Sequence, residues 1–406
     1  MRMTKDRWDR IIRNNAGEFP QKITNAWVDQ VLLTLKTEQE GSQKWKDAET
    51  ILRWGFCGRD LSGHDLSGLD KEHFGYLTFS SSTVFPSTEK MPKGIHPKDI
   101  LERGTNPMLG IKKLHERGID GSGVTIANID SGWQSEKHPE YKETNIESVD
   151  LFNDNVEWHF HADGVLSNLC GQNLGVAPKA NIIHYNTQIG NKDFTSQRVA
   201  CLQDILKRVK SGEKIRAVNV SGPLVAIDRK VFREKTRELS SRDEKQKLFE
   251  EEENRLMEQW HFKPLLRELQ SLGCEVVYSS RFWKDFSLCD FDHETNTIKP
   301  ATWQGKEFLK PDNVAFVAGG KTIPDFPNET GYLYVQDAGA SWAIPQAVGM
   351  YALALQQNPN LTWNQFAQIS KSTSQMTESG VRVANPKEII KQAGVMKTQE
   401  TVIGDK

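Results

Sequence analysis

The chain has 406 residues, and its 52 lysines and arginines against 54 aspartates and glutamates leave a formal charge of −2. This near balance gives no electrostatic case for nucleic acid or an anionic membrane surface as a partner. A hydrophobic content of 37% with 11 Trp and 18 Phe supports a large core, yet no apolar run reaches membrane-span length and the charged start lacks a signal peptide's apolar centre. Cys57, Cys170, Cys201, Cys274 and Cys289 are odd in number and scattered. They read as reduced thiols of a soluble, cytoplasmic protein rather than as a disulfide framework or zinc site.

In chain order, residues 5 to about 55 carry helical spacing, with Trp8, Ile11, Ile12, Ile23, Trp27, Val31 and Leu32 among charges. The near-repeat Asp60-Leu61-Ser62-Gly63-His64-Asp65-Leu66-Ser67-Gly68 reads as turns, since two copies are too few for a solenoid. The Ser/Pro/Lys-rich stretch from Ser80 to Pro97 reads as a linker or a clamped extended segment. Residues 1–105 thus form a mostly helical N-terminal region, and a second domain spans 106–395.

In that second domain, buried β-rich runs alternate with helical stretches. The runs are Val124–Ile129, Ala180–Tyr185, Ile215–Val220, Cys274–Tyr278 and Val314–Ala318. Strands buried on both faces look like this, and they predict an α/β fold with a mainly parallel central sheet between helix layers. Sites in such sheets form beyond the carboxyl ends of the strands. A charged stretch, 228–262, reads as a solvated helical insertion. The acidic clusters Glu250–Glu253 and Asp285-Asp290-Asp292 read as solvated surface. No carboxylate spacing matches an EF-hand loop, and no cofactor is assigned.

Three segments carry chemistry. Asn128-Ile129-Asp130-Ser131-Gly132 delivers a carboxylate from a strand into a turn. His159-Phe160-His161-Ala162-Asp163-Gly164 places a histidine before a predicted helix, with His159 a rival two residues away. Gly339-Ala340-Ser341-Trp342-Ala343-Ile344-Pro345 sets a hydroxyl at a Gly-rich turn before a proline suited to opening a helix. Orphan N–H groups and the helix dipole there favour developing negative charge. A serine needs a base, and the base needs a carboxylate to fix its tautomer. Ser341, His161 and Asp130 supply those roles; Ser341 also reads as a simple helix N-cap.

The order Asp, His, then a distant Ser resembles the subtilisin-like serine peptidases over most of residues 106–390. Gly339-Ala340-Ser341-Trp342-Ala343-Ile344-Pro345-Gln346-Ala347-Val348-Gly349 is similar to that family's Gly-Thr-Ser-Met-Ala-x-Pro-His-Val-Ala-Gly. The match around His161 is looser, and Gly175-Val176-Ala177-Pro178 resembles the turn that follows the histidine helix. The resemblance implies a subtilisin-like three-layer fold and an endopeptidase working through an acyl-enzyme on a protein or peptide substrate. It implies an oxyanion asparagine too, but the corresponding Val277-Tyr278-Ser279-Ser280-Arg281-Phe282 holds none. Ser279, Ser280 and Arg281 are the substitute donors on offer. Asn219-Val220-Ser221-Gly222-Pro223 resembles the substrate-binding edge, with Ser221 and Gly222 beside an extended substrate. Residues 1–105 would be a propeptide or a regulatory domain. Many relatives hold calcium, for which no ligands are placed here. The alternative reading is a pseudoprotease that binds a partner as a scaffold.

Overall fold

The computed structural model describes residues 19–39, 41–152, 156–188, 194–237, 242–292, 296–303, 306–307, 310, 312–325, 330–335 and 339–404. The N-terminal region begins with β1 (Lys22–Thr24), α1 (Asn25–Thr37) and α2 (Gln43–Trp54). Thr24 caps α1 and Ser42 caps α2, each side chain accepting from a backbone N–H of the first turn. The predicted helix thus breaks into two, and its residues before 19 lie outside the described ones. The second copy of the near-repeat is not a turn. It forms β2 (Asp65–Gly68), which pairs in parallel with β1, because Leu66 is fully buried and draws the segment into the core.

The stretch from Ser80 is clamped. β3 (Phe79–Ser80) pairs antiparallel with Tyr334 and Leu333, while the Leu61 N–H donates to the Val84 carbonyl and the Val84 N–H to the Arg59 carbonyl. Ile23, Val28, Leu32, Phe56, Leu66, Phe74 and Phe79 fill a core of their own, reached by α3 (Pro97–Gly104) through Ile100.

Residues 125–277 hold a five-stranded sheet. Its strands are β4 (Thr125–Ser131), β5 (Asn145–Val149), β6 (Asn181–Thr187), β7 (Ile215–Val220) and β8 (Glu275–Val277), in the order β5-β6-β4-β7-β8 with every pairing parallel. The side-chain period of two separates its faces. Ile126, Ile182 and Ala217 point to one core, with α4 (Phe160–Cys170). Ala127, Ile129, Ile183, Tyr185, Val218 and Val220 point to the other, with α5 (Phe194–Lys210). Two helix layers therefore enclose the sheet, as the apolar runs required.

The charged insertion is helical. It comprises α6 (Arg229–Thr236) and α7 (Arg242–Gln259), followed by α8 (Phe262–Ser271). Beyond it, α9 (Ser279–Asp285) leads into β9 (Phe286–Asp292), which pairs antiparallel with β10 (Thr297–Pro300) and parallel with β11 (Val314–Gly319). β12 (Lys321–Pro324) and β13 (Tyr332–Val335) complete a three-stranded sheet with β3. A strand from before residue 106 thus completes a sheet whose other two strands lie in 321–335. Last come α10 (Ala340–Gln357), α11 (Trp363–Thr373) and α12 (Pro386–Gly404).

Three local expectations are corrected. Asp290 is fully buried and accepts from the Gly319 N–H at 2.9 Å. Glu253, 5% exposed, accepts from Ser280 Oγ. In both cases a buried donor outweighs the solvation that a sequence of acids suggests. Pro345 lies inside α10, five residues past its start, rather than opening it. The five cysteines are buried and unbridged. No helix among the described residues is long and apolar enough to cross a membrane.

Candidate active site

Asp130 stands at the carboxyl end of β4, with its side chain 4% exposed. The Ser131 N–H donates to its Oδ1 at 2.7 Å and the Ser131 hydroxyl at 2.9 Å, so the turn itself solvates the carboxylate. Gly132 is needed because residues 156–159 cross it closely. A Cβ there would lie 2.2 Å from the Glu157 carbonyl oxygen, and His159 N–H donates to the Gly132 carbonyl at 2.9 Å. The end of β4 is thereby tied to the start of α4.

His161 occupies the first turn of α4. The rival, His159, caps the helix: its Nδ1 accepts from the His161 N–H at 3.2 Å. His161 Nδ1 lies 2.8 Å from Asp130 Oδ1. Burial alone would raise the Asp130 pKa, but the charge and hydrogen bond of His161 and the Ser131 N–H bring it down to about 2. An ionised carboxylate only accepts, so the proton belongs on Nδ1 and leaves Nε2 as the basic nitrogen. No hydrogen bond to Nε2 is formed among the described residues.

Ser341 lies in the first turn of α10, half-buried. α4 and α10 run side by side in the same direction. Gly164 meets the Trp342 ring, and one turn further Asn168 Oδ1 accepts from Gln346 Nε2 at the same sequence offset of 178 residues. That constant offset brings the first turns of the two helices level, with His161 in one and Ser341 in the other. The approach needs a glycine, since a Cβ at Gly164 would be 2.8 Å from Trp342 Cζ2. Ser341 Oγ does not bond to His161; it donates to the Ser221 carbonyl at 2.9 Å. Catalytic hydrogen bonds often form only once substrate is bound, and one χ1 turn frees this hydroxyl.

Ser221 is buried and Gly222 half-exposed, at the end of β7. Their backbone groups are partly taken. Ser341 holds the Ser221 carbonyl, Ser279 N–H donates to the Gly222 carbonyl at 3.0 Å, and Gly222 N–H turns back to Val220. Ser280 Oγ donates to Glu253, and Arg281 is clamped by Glu275 at 2.9 Å, Asp285 at 2.5 Å and Asn364 at 2.7 Å. Those partners hold both side chains in the network that joins α7, α9, β8 and α11.

Sequence reasoning passed over the polar groups beneath the site. Asn219 Nδ2 donates to Asn128 Oδ1 at 2.6 Å and to Ser221 Oγ at 3.0 Å. Asn128 Nδ2 contacts His184 Nδ1 at 2.8 Å, and His184 Nε2 contacts the Ser131 carbonyl at 3.1 Å. Burial pushes His184 down to about 4, so it is neutral. This network runs across three strands and ties the Ser221 segment to the Asp130 turn. Its signal in the sequence is slight: Asn128, His184 and Asn219 are each the second of two polar residues in an otherwise apolar run. Asp163 was also passed over. It is fully buried, burial raises it to about 6, and Ser135, Trp158 and Tyr141 donate to it.

No family model and no curated protein matches the chain. Among solved structures it is similar to the prenylagaramide maturation protease PagA, at 13% identity and a TM-score of 0.46, covering 70% of this chain and 99% of that one. It is also similar to a chain in the assembly of the subtilase cytotoxin SubAB, at 14% identity and a TM-score of 0.46, covering 77% and 97%. A third likeness is to the A-subunit of the AB5 toxin from E. coli, at 14% identity and a TM-score of 0.49, covering 70% and 97%.

Proposed function

We propose that this chain is a subtilisin-like serine endopeptidase acting in the cytoplasm on a protein or peptide substrate. The observation that carries the reading is the 2.8 Å contact of His161 Nδ1 with the buried carboxylate of Asp130, on a helix level with the one that bears Ser341. In the reaction, the Ser341 hydroxyl leaves the Ser221 carbonyl and turns to His161 Nε2. The imidazole takes its proton as Oγ attacks the peptide carbonyl, and Asp130 stabilises the imidazolium. His161 then protonates the departing amine, and the same nitrogen activates the water that releases the acyl group. The N–H of Ser341 and the N-terminal dipole of α10 supply oxyanion stabilisation. With Ser280 and Arg281 held by carboxylates, we assign neither side chain to that task. The chemistry needs no cofactor.

The test is labelling of the purified protein with a fluorophosphonate probe, alongside Ser341→Ala and His161→Ala. Labelling of the native chain that both substitutions abolish is the expected result. Absence of labelling in the native chain would overturn the peptidase reading. A second reading, a binding scaffold, draws on one observation: Ser341 Oγ bonds to a main-chain carbonyl instead of the imidazole.

A further inference from the structure

Arg198 lies on α5 beneath the Ser221–Gly222 edge and is 6% exposed. One face of its guanidinium rests on the Phe194 ring, 3.7 Å from the centroid. Nε and Nη1 are buried without a hydrogen-bond partner among the described residues, and no ion pair with a carboxylate is formed among those residues. A guanidinium carries five donors, and burying them unpaired is costly unless another group completes the site. Burial lowers its pKa only to about 10, with the field of Asp130 opposing the shift, so the charge persists at neutral pH.

The guanidinium lies against Gly222. A Cβ built there would sit 3.5 Å from Nη2 and 3.9 Å from Nη1. The missing side chain at 222 therefore leaves the guanidinium facing the strip of backbone whose neighbour, Ser221, holds the hydroxyl of Ser341 at 2.9 Å. No ion pair or hydrogen bond joins Arg198 to Asp130 among the described residues, and Asp130 Oδ1 is turned to His161 and Ser131.

We propose that Arg198 is a specificity-determining residue, which receives the carboxylate of an aspartate or glutamate side chain from a peptide lying along Ser221–Gly222. The proposal rests on the reading of that edge as the place where substrate binds. An extended peptide turns alternate side chains to the same face. One acidic residue thus reaches the guanidinium through the gap at Gly222 and satisfies its empty donors with a charge-assisted pair. A large apolar or basic side chain at the same position leaves the arginine unpaired and is disfavoured.

The test uses fluorescein-labelled, C-terminally amidated peptides in which a single Glu is moved through each position, each matched by a Gln peptide. Binding is measured by anisotropy on full-length Ser341→Ala protein, so it does not depend on turnover. At one position Glu should bind about tenfold more tightly than Gln, and Arg198→Gln should bring that ratio close to one. Arg198→Lys should keep part of it. Gly222→Ala, at a φ open to alanine and with ordinary contact to Nη2, should lower the ratio without burying a new polar group. Thermal melts of each variant separate loss of selectivity from loss of fold. A ratio of one at every position, or a preference that survives Arg198→Gln, overturns the proposal. Free C-terminal carboxylate peptides that outbind the Glu series also overturn it, since the arginine would then read a chain end. Hydrolysis of the same peptides by the native chain is scored separately. Glu-selective binding without hydrolysis or probe labelling upholds the subsite and sinks the peptidase reading, and hydrolysis without selectivity does the reverse.

Discussion

Trp54, the last residue of α2, meets Phe160 edge-on with ring centroids 4.6 Å apart. Phe160 precedes His161, and the same tryptophan joins Cys57, Ile323, Leu333 and Trp342 in one apolar cluster, so it also touches the neighbourhood of Ser341. The N-terminal region is therefore packed against the residues that flank both His161 and Ser341.

Truncation should expose that dependence. Removing residues 1–105 strips β3 from β13 and uncovers the cluster around Trp342, so the shortened chain is expected to be poorly folded and unlabelled by the fluorophosphonate. Trp54→Ala in the full chain should cost about 2–3 kcal/mol, less than the loss of a fully buried Trp, because Trp54 is only partly buried. Circular dichroism melts of both proteins check this. A truncated chain that melts and labels like the native one would exclude a propeptide or regulatory role for the region.

Asp130→Asn leaves the shape of the turn but places an amide opposite His161 Nδ1. The imidazole then loses the partner that fixes its tautomer, and turnover should fall by about 10⁴ while KM changes little. Steady-state kinetics on any cleaved peptide, or the rate of fluorophosphonate labelling, reads the effect. An unchanged rate would remove Asp130 from the machinery.

Gly164→Ala should force α4 and α10 apart, since the added methyl meets Trp342 inside van der Waals distance. Overpacking of this kind costs about 1–3 kcal/mol, and here it shifts His161 away from Ser341 as well. The expected outcome is a lower melting temperature together with a kcat loss larger than the stability loss explains. Gly164→Ser, with its extra hydroxyl, should be worse.

Asp163 sets a pH dependence of stability. Burial raises it from 3.8 to about 6 in the folded chain, so folding favours its protonated form. Its stabilising contribution is complete below about pH 4 and is lost as pH rises through about 6. The melting temperature should therefore carry a component that falls between about pH 4 and pH 6, and Asp163→Asn should abolish that component. A native melting curve that is flat or rising by the same amount as the variant's in this window would contradict it.

Arg281→Ala tests what its carboxylate clamp does. Breaking a largely buried set of pairs costs about 3 kcal/mol, so a clear drop in melting temperature is expected, with kcat retained at a permissive temperature. A kcat loss of about 10²–10³ with little change in stability would instead place the guanidinium at the oxyanion.

The strands β4, β6, β7 and β8 were legible because their apolar runs fit between two helix layers, whereas the run Val314–Ala318 is a strand of a second sheet, where Ala315 and Val317 pack against Met108 and Val383 rather than against a helix layer. Local chemistry also made Asp130, His161 and Ser341 stand out, since each sits at a strand end or a helix start. The second copy of the Asp60–Gly68 near-repeat escaped, because a four-residue strand owes its existence to Leu66 being drawn into a core that other segments build. Asp290 and Glu253 escaped for the same reason, their burial being decided by Gly319 and Ser280, 29 and 27 residues away.

The sequence by itself determined the alternation of strands and helices, the order of Asp130, His161 and Ser341 and the absence of an asparagine after β8. Only the tertiary structure decided that His161 rather than His159 faces Asp130, that Ser341 rests on Ser221, and that Arg281 is tied down while Arg198 is not. Periodicity and turn chemistry act over a few residues and can be read from them. Which donor meets which acceptor depends on side chains from distant segments competing for the same few ångströms, and that competition is resolved only when the chain has packed.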